Sequence, residues 1–207
     1  MKKLPTVIII VLVMAIFIFS KCSENKSDGN ENKKDTAVVA NTNTGGFESQ
    51  VKWGEHLVII AGCNDCHTPK KMTPTGPEPD FSLTLSGHPS QMPPPDVDRK
   101  AMESKGLVVT NDLTSWVGPW GVSYAANITS DSTGIGNWTE AQFLLCLREG
   151  KWKGIEGNRE LLPPMPWKDF RLMSDDELKA IFAYLKSTKP VKNVEPPAES
   201  PVLAGKK

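Results

Sequence analysis

Residues 63–67 read Cys63-Asn64-Asp65-Cys66-His67. Two thiols three positions apart on a helix can each add to one vinyl group of a haem. The imidazole that follows then lies beneath the porphyrin, where it can bind the iron. This spacing is the usual mark of a c-type haem. Two other chemistries compete for it. A zinc site needs a second ligand pair, and the remaining cysteines, Cys22 and Cys146, are isolated singletons. A thioredoxin-like redox dithiol needs a βαβ setting that the flanks do not supply. The chain holds no internal repeat and no second Cys-x-x-Cys-His run, so the expectation is one haem c, attached covalently at Cys63 and Cys66, with His67 on the iron.

The iron then needs a second axial ligand or an open position. Met165 lies in Leu162-Pro163-Pro164-Met165-Pro166-Trp167. Its three prolines restrict the backbone to few conformations, so the sulfur is held in place. A thioether is a soft, neutral ligand that favours reduced iron. The bland alternative is a methionine that only fills the core. His88, in Ser86-Gly87-His88-Pro89, is the rival ligand, while His56 is expected to face solvent or pack. Met72, Met92 and Met102 lie in loops with no comparable rigid setting.

Three helices would position these residues. The first covers residues 47–63, with Trp53, Leu57, Ile60 and Ala61 at helical spacing, and the haem motif closes it. The second opens on the capping-box pattern Thr139-x-x-Gln142 and ends at Gly150. The third opens on Ser174-Asp175-Asp176-Glu177, runs to about Lys186 or Ser187, and is stopped by Pro190. Between the motif and the second helix stand about seventy residues rich in Pro, Gly and Ser, a length that is usually functional or disordered. No strand pattern is persuasive there, and residues 106–110 alone suggest a short hairpin arm. Cys146 reads as a small buried hydrophobe, so no disulfide framework is indicated.

The ends bear on compartment. Lys2 and Lys3 precede an apolar run over residues 7–19, which describes a secretory leader and is short for a bilayer span. Residues 1–21 are therefore read as a signal peptide. Cys22 stands where a bacterial lipoprotein carries its lipid, although Phe19-Ser20-Lys21 matches the usual small-residue pattern poorly. An uncleaved anchor and plain secretion are the alternatives. Residues 22–46 are polar and read as a flexible linker, residues 47–190 as the folded domain, and residues 191–207 as a disordered tail. The full chain has 24 basic and 24 acidic residues, and loss of Lys2, Lys3 and Lys21 leaves 21 against 24, a formal −3. With no basic stripe and no nucleic-acid motif, a DNA or RNA partner has no support.

Taken together, the motif, the middle helix, the proline-framed methionine and the last helix resemble the class I cytochrome c family over residues 47–189. The nearest likeness is to monohaem modules of bacterial dehydrogenase and respiratory chains. The resemblance implies an all-α, cytochrome c-like fold of three main helices around one haem, with residues 81–122 as a long irregular insertion outside the family pattern. It also implies roles for Tyr124 and Trp138 as donors to a buried haem propionate, with Asn127 a further partner. A buried propionate needs such donors, since an unpaired buried charge is costly. Thr75-Gly76-Pro77 resembles the family's proline after the motif, whose carbonyl accepts the Nδ1 proton of the iron-bound His; Pro69 is the nearer alternative in sequence.

The function implied is electron transfer outside the cytoplasm, on the periplasmic side of a bacterial membrane. Partners would be a dehydrogenase, a quinol-oxidising complex or a terminal oxidase, with a lipid anchor raising their effective concentration. Two readings compete. One is a haem enzyme or gas sensor with an open sixth position, for which His88 and Glu78 are candidate polar groups and no spacing favours either. The other is a fixed cytochrome subunit of an oxidoreductase complex.

Overall fold

The computed structural model describes residues 43–203. The leader, Cys22 and the linker up to residue 42 lie outside the described residues. Helix α1 (Gln50–Ile60) starts at Ser49, whose hydroxyl accepts from the Lys52 amide at 3.2 Å. It buries Trp53, Gly54, Leu57 and Val58. The haem motif does not close this helix. Gly62, at φ +67°, interrupts it, and the motif forms its own short helix, α2 (Cys63–His67). A left-handed residue is what an abrupt change of helix direction requires, and glycine adopts it without steric cost.

After the motif, β1 (Lys70–Thr73) and β2 (Gly76–Pro79) form an antiparallel hairpin, with Lys70 opposite Pro79 and Thr73 opposite Gly76. Helix α3 (Arg99–Lys105) is capped by Asp98. A second antiparallel hairpin joins β3 (Ser115–Gly118) to β4 (Gly121–Tyr124), with Ser115 opposite Tyr124. Helix α4 (Glu140–Glu149), a four-residue turn α5 (Trp167–Phe170) and the long α6 (Asp175–Ser187) complete the order. Both expected capping boxes form, at Thr139 with Gln142 and at Ser174 with Glu177.

The all-α expectation is overturned by the two hairpins: the architecture is mixed α and β. Their weak signal in the sequence has a physical cause. The first hairpin is largely exposed, and the second is buried on nearly every residue. Neither shows the alternation that marks a half-buried strand. The 81–122 stretch is correspondingly structured, holding α3 and β3, and the arm expected at 106–110 contributes one bridge, Val109 to Val117.

The core lies where α1 crosses α6. Gly54 sets the closeness of that crossing, because a Cβ there would fall 1.9 Å from the Ala180 carbonyl oxygen. Leu57, Val58, Leu178, Ile181 and Leu185 fill the interface, and α4 adds Phe143 and Leu147. The Phe143 ring sits 5.2 Å from that of Phe182. Cys146 is buried in α4, and burial pushes its thiol up to about 11.

The segment after residue 190, expected to fray, is tied to the rest of the domain. Asn193 bonds to residues 86–90, and Glu199 bridges Val122 as a third strand-like contact. Arg99 pairs with Glu199 at 2.6 Å, and the Glu103 carboxylate accepts the Val202 and Leu203 amides at 3.0 Å each. Among the described residues no helix is long and apolar enough to cross a membrane.

Candidate haem site

Helix α2 brings Cys63, Cys66 and His67 onto little more than one turn. The two thiols are partly covered. Burial pushes Cys63 up to about 11 and raises Cys66 as well. A redox dithiol needs a lowered thiol pKa, so these are poor candidates for thioredoxin-like exchange. Among the described residues no three His, Cys, Asp or Glu side chains converge as a zinc site requires.

His67 is oriented by a backbone carbonyl. Its Nδ1 lies 2.7 Å from the oxygen of Ala126, and burial holds the ring below the usual imidazole range. A neutral imidazole that donates from Nδ1 keeps its Nε2 lone pair for a metal, and the carbonyl makes the ring a better donor. The acceptor expected from the sequence was Pro77, with Pro69 as alternative. Pro77 sits instead on β2 opposite Met72, and the carbonyl of Pro69 accepts the Asp80 amide at 2.8 Å. A carbonyl acceptor has no side-chain signature, so nothing in the sequence distinguished Ala126.

The backbone next to Ala126 is held by the segment 85–88. The Gly87 amide donates to the His67 carbonyl, and the His88 amide donates to the Ala125 carbonyl, each at 2.8 Å. Gly87, at φ +77°, packs so closely that a Cβ would lie 2.5 Å from the Ala126 carbonyl carbon. Thr68, fully buried, links the same segment by accepting the Leu85 amide at 3.1 Å.

Met165 packs half-buried against the core cluster, as do Cys63, Ile128, Leu144 and Trp138. Its turn is fastened from both sides. Its own carbonyl accepts the Trp167 amide at 2.9 Å, and the Pro163 carbonyl accepts the Ser123 hydroxyl at 2.7 Å. Ser123 lies on β4, so the second hairpin braces the methionine turn. Trp120 adds an indole donor to the same hydroxyl at 3.0 Å.

The remaining expected residues divide. The Tyr124 hydroxyl donates to Glu199 at 3.2 Å. Asn127 is buried and engaged throughout: its amide reaches Thr133, Val191 and Asn193, and its oxygen accepts from Thr129. Both therefore fasten the C-terminal segment. Trp138 packs half-buried against the same core cluster as Cys63 and Met165. His88, the rival ligand, is fully buried with Nε2 donating to the Met92 carbonyl at 2.9 Å and Nδ1 bonded to Thr114 at 2.8 Å. Neither nitrogen is spare.

These residues fit a haem on the chemistry of the donor set. Two thiols and one imidazole with a spare nitrogen share a helix, and Cys63 packs against the same core cluster as the half-covered Ile128, Trp138, Leu144 and Met165. A large flat apolar group would finish the burial those side chains lack.

Known proteins point the same way. Over 151 residues, 72% of this chain, it is 36% identical to the fructose dehydrogenase cytochrome subunit of Gluconobacter japonicus. It is 29% identical over 146 residues, 70% of the chain, to the cytochrome c subunit of the quinone alcohol dehydrogenase of Gluconobacter oxydans. Over 67 residues, 32% of the chain, it is 37% identical to the gluconate 2-dehydrogenase cytochrome c subunit of Pantoea cypripedii. The chain spans 23% of the length of each of the first two relatives and 14% of the third. No family model matches it. These relatives are cytochrome subunits of dehydrogenases, and with the motif they support a cytochrome c domain in this chain.

Proposed function

We propose that this chain carries one covalent haem c and passes electrons for a dehydrogenase outside the cytoplasm. The observation that carries the reading is the His67–Ala126 bond, which leaves Nε2 available on the helix that holds both thiols. Cys63 and Cys66 supply the thioether anchors. His67 and Met165, whose turn is braced by Ser123, would hold the iron. Ala126 keeps the imidazole in its tautomer. Trp138 is the donor retained for a haem propionate, since the Tyr124 and Asn127 polar groups serve the C-terminal segment. When bound, the haem supplies a one-electron Fe(II)/Fe(III) couple, and thioether ligation favours the reduced form.

The names of the relatives favour a dehydrogenase as partner, with the chain acting as a cytochrome subunit. A quinol-oxidising complex or a terminal oxidase would stand at the other end of the transfer. We place the domain on the periplasmic side of a bacterial membrane, tethered by lipid at Cys22.

The optical spectrum of the oxidised protein tests the ligand set. A weak band at the red edge, the mark of Met–Fe ligation, should be present and lost in Met165→Ala. Ready binding of carbon monoxide by the native protein, without that band, would overturn the carrier reading in favour of an open-site enzyme or sensor. For the tether, Cys22→Ser should release the protein from membranes. Retention with residues 1–21 still attached would replace the lipid by an uncleaved anchor.

A further inference from the structure

The segment after α6 reaches back, through one side chain, to the stretch of backbone that bonds to the haem motif. Asn193 Nδ2 donates to the carbonyl oxygens of Ser86 and His88, each at 2.8 Å. Its Oδ1 accepts the Ser90 amide at 3.1 Å. The two carbonyls flank Gly87, the residue wedged between His67 on one side and Ala125–Ala126 on the other. A planar amide with two N–H groups is suited to straddle one residue in this way, and few other side chains of its size supply both donors.

A reciprocal arm closes the arrangement. Asn127, next to Ala126, donates to the Val191 carbonyl at 2.8 Å and to the Asn193 carbonyl at 3.2 Å. The Asn193 amide in turn donates to Thr133 Oγ1 at 3.1 Å. Residue 193 is therefore bonded to the backbone of residues 86–90 on one side and to the Asn127 side chain, next to Ala126, on the other.

We propose that Asn193 is a positioning residue for His67. It presses residues 86–88 onto Ala125–Ala126 and so keeps the Ala126 carbonyl on Nδ1. The clamp rests on the hydrogen bonds alone, and its effect at the iron rests on the haem reading above. Loss of the grip lets the carbonyl drift. A weaker Nδ1–H bond makes the imidazole a poorer electron donor, which disfavours ferric iron and raises the potential.

The test uses the full chain and three variants. Asn193→Leu is uncharged and of similar size, and it removes both donors. Arg99→Ala loosens the same C-terminal segment at Glu199 and Ser200, several residues beyond Asn193. Asn193→Gln restores two donors on a longer stem. Native-state hydrogen exchange at the Gly87 amide and the midpoint potential of the haem-bearing protein are measured. In Asn193→Leu, Gly87 exchange should rise about tenfold, the effect of one lost buried hydrogen bond or slightly more. The potential should move upward in the same variant. Arg99→Ala should leave both readings near wild type, and Asn193→Gln should recover part of the loss. Equal changes in Asn193→Leu and Arg99→Ala would show general loosening and overturn the proposal, as would an unchanged Gly87 amide in Asn193→Leu. If mass analysis finds no covalent haem on the wild-type chain, the functional reading fails, and Gly87 exchange alone still decides the clamp.

Discussion

The imidazole of His67 and the carbonyl of Ala126, fifty-nine positions apart, meet at 2.7 Å. This contact turns a short helix bearing a Cys-x-x-Cys-His run into a site with a fixed tautomer. A third stretch of chain, residues 85–88, runs beside it, with the Gly87 amide on the His67 backbone carbonyl and the His88 amide on the Ala125 carbonyl.

Gly87→Ala tests that stretch. Its φ of +77° is unfavourable for alanine, and the new methyl would fall 2.5 Å from the Ala126 carbonyl carbon. Strain and overpacking together should cost about 2–4 kcal/mol. Urea unfolding measures the loss, and a change under about 0.5 kcal/mol would mean the backbone at Gly87 yields freely.

Ser123→Ala removes the hydroxyl that fastens the Pro163 carbonyl. Stability should fall by about 1 kcal/mol. The same loosening should make the Met165 turn open more often, so that carbon monoxide enters the reduced protein about fivefold faster. An unaltered rate of entry would remove the second hairpin from any part in holding Met165.

His88→Ala separates a buried strut from a ligand. Loss of two hydrogen bonds and of packing in a fully buried position should destabilise the fold by about 2–4 kcal/mol. The red-edge band should persist, because both ring nitrogens are already taken. Its disappearance in a still-folded variant would mean that His88 reaches the iron.

Several features were legible from the chain because they are local. The caps at residues 139–142 and 174–177 need only neighbours three positions apart, and both form. The apolar face of α6 is likewise a matter of helical spacing, with Leu178, Ile181 and Leu185 buried. The hairpins leave no such local signal, because one is too exposed and the other too buried to alternate. Asn127 and Tyr124 each bond to the segment after residue 190, which composition alone describes as loose.

By itself the sequence determined the chemistry on offer: two thiols and an imidazole at haem spacing, a methionine in a proline frame, and the helices that carry or flank them. Such features are set by neighbours within a turn or two. Only the tertiary structure decided that Ala126 orients His67, that Gly87 must lack a side chain, and that Ser123 and Asn193 brace the site. Each of those is a backbone or amide contact between distant stretches. Its partner is a carbonyl that every residue possesses, so spacing along the chain could not single it out.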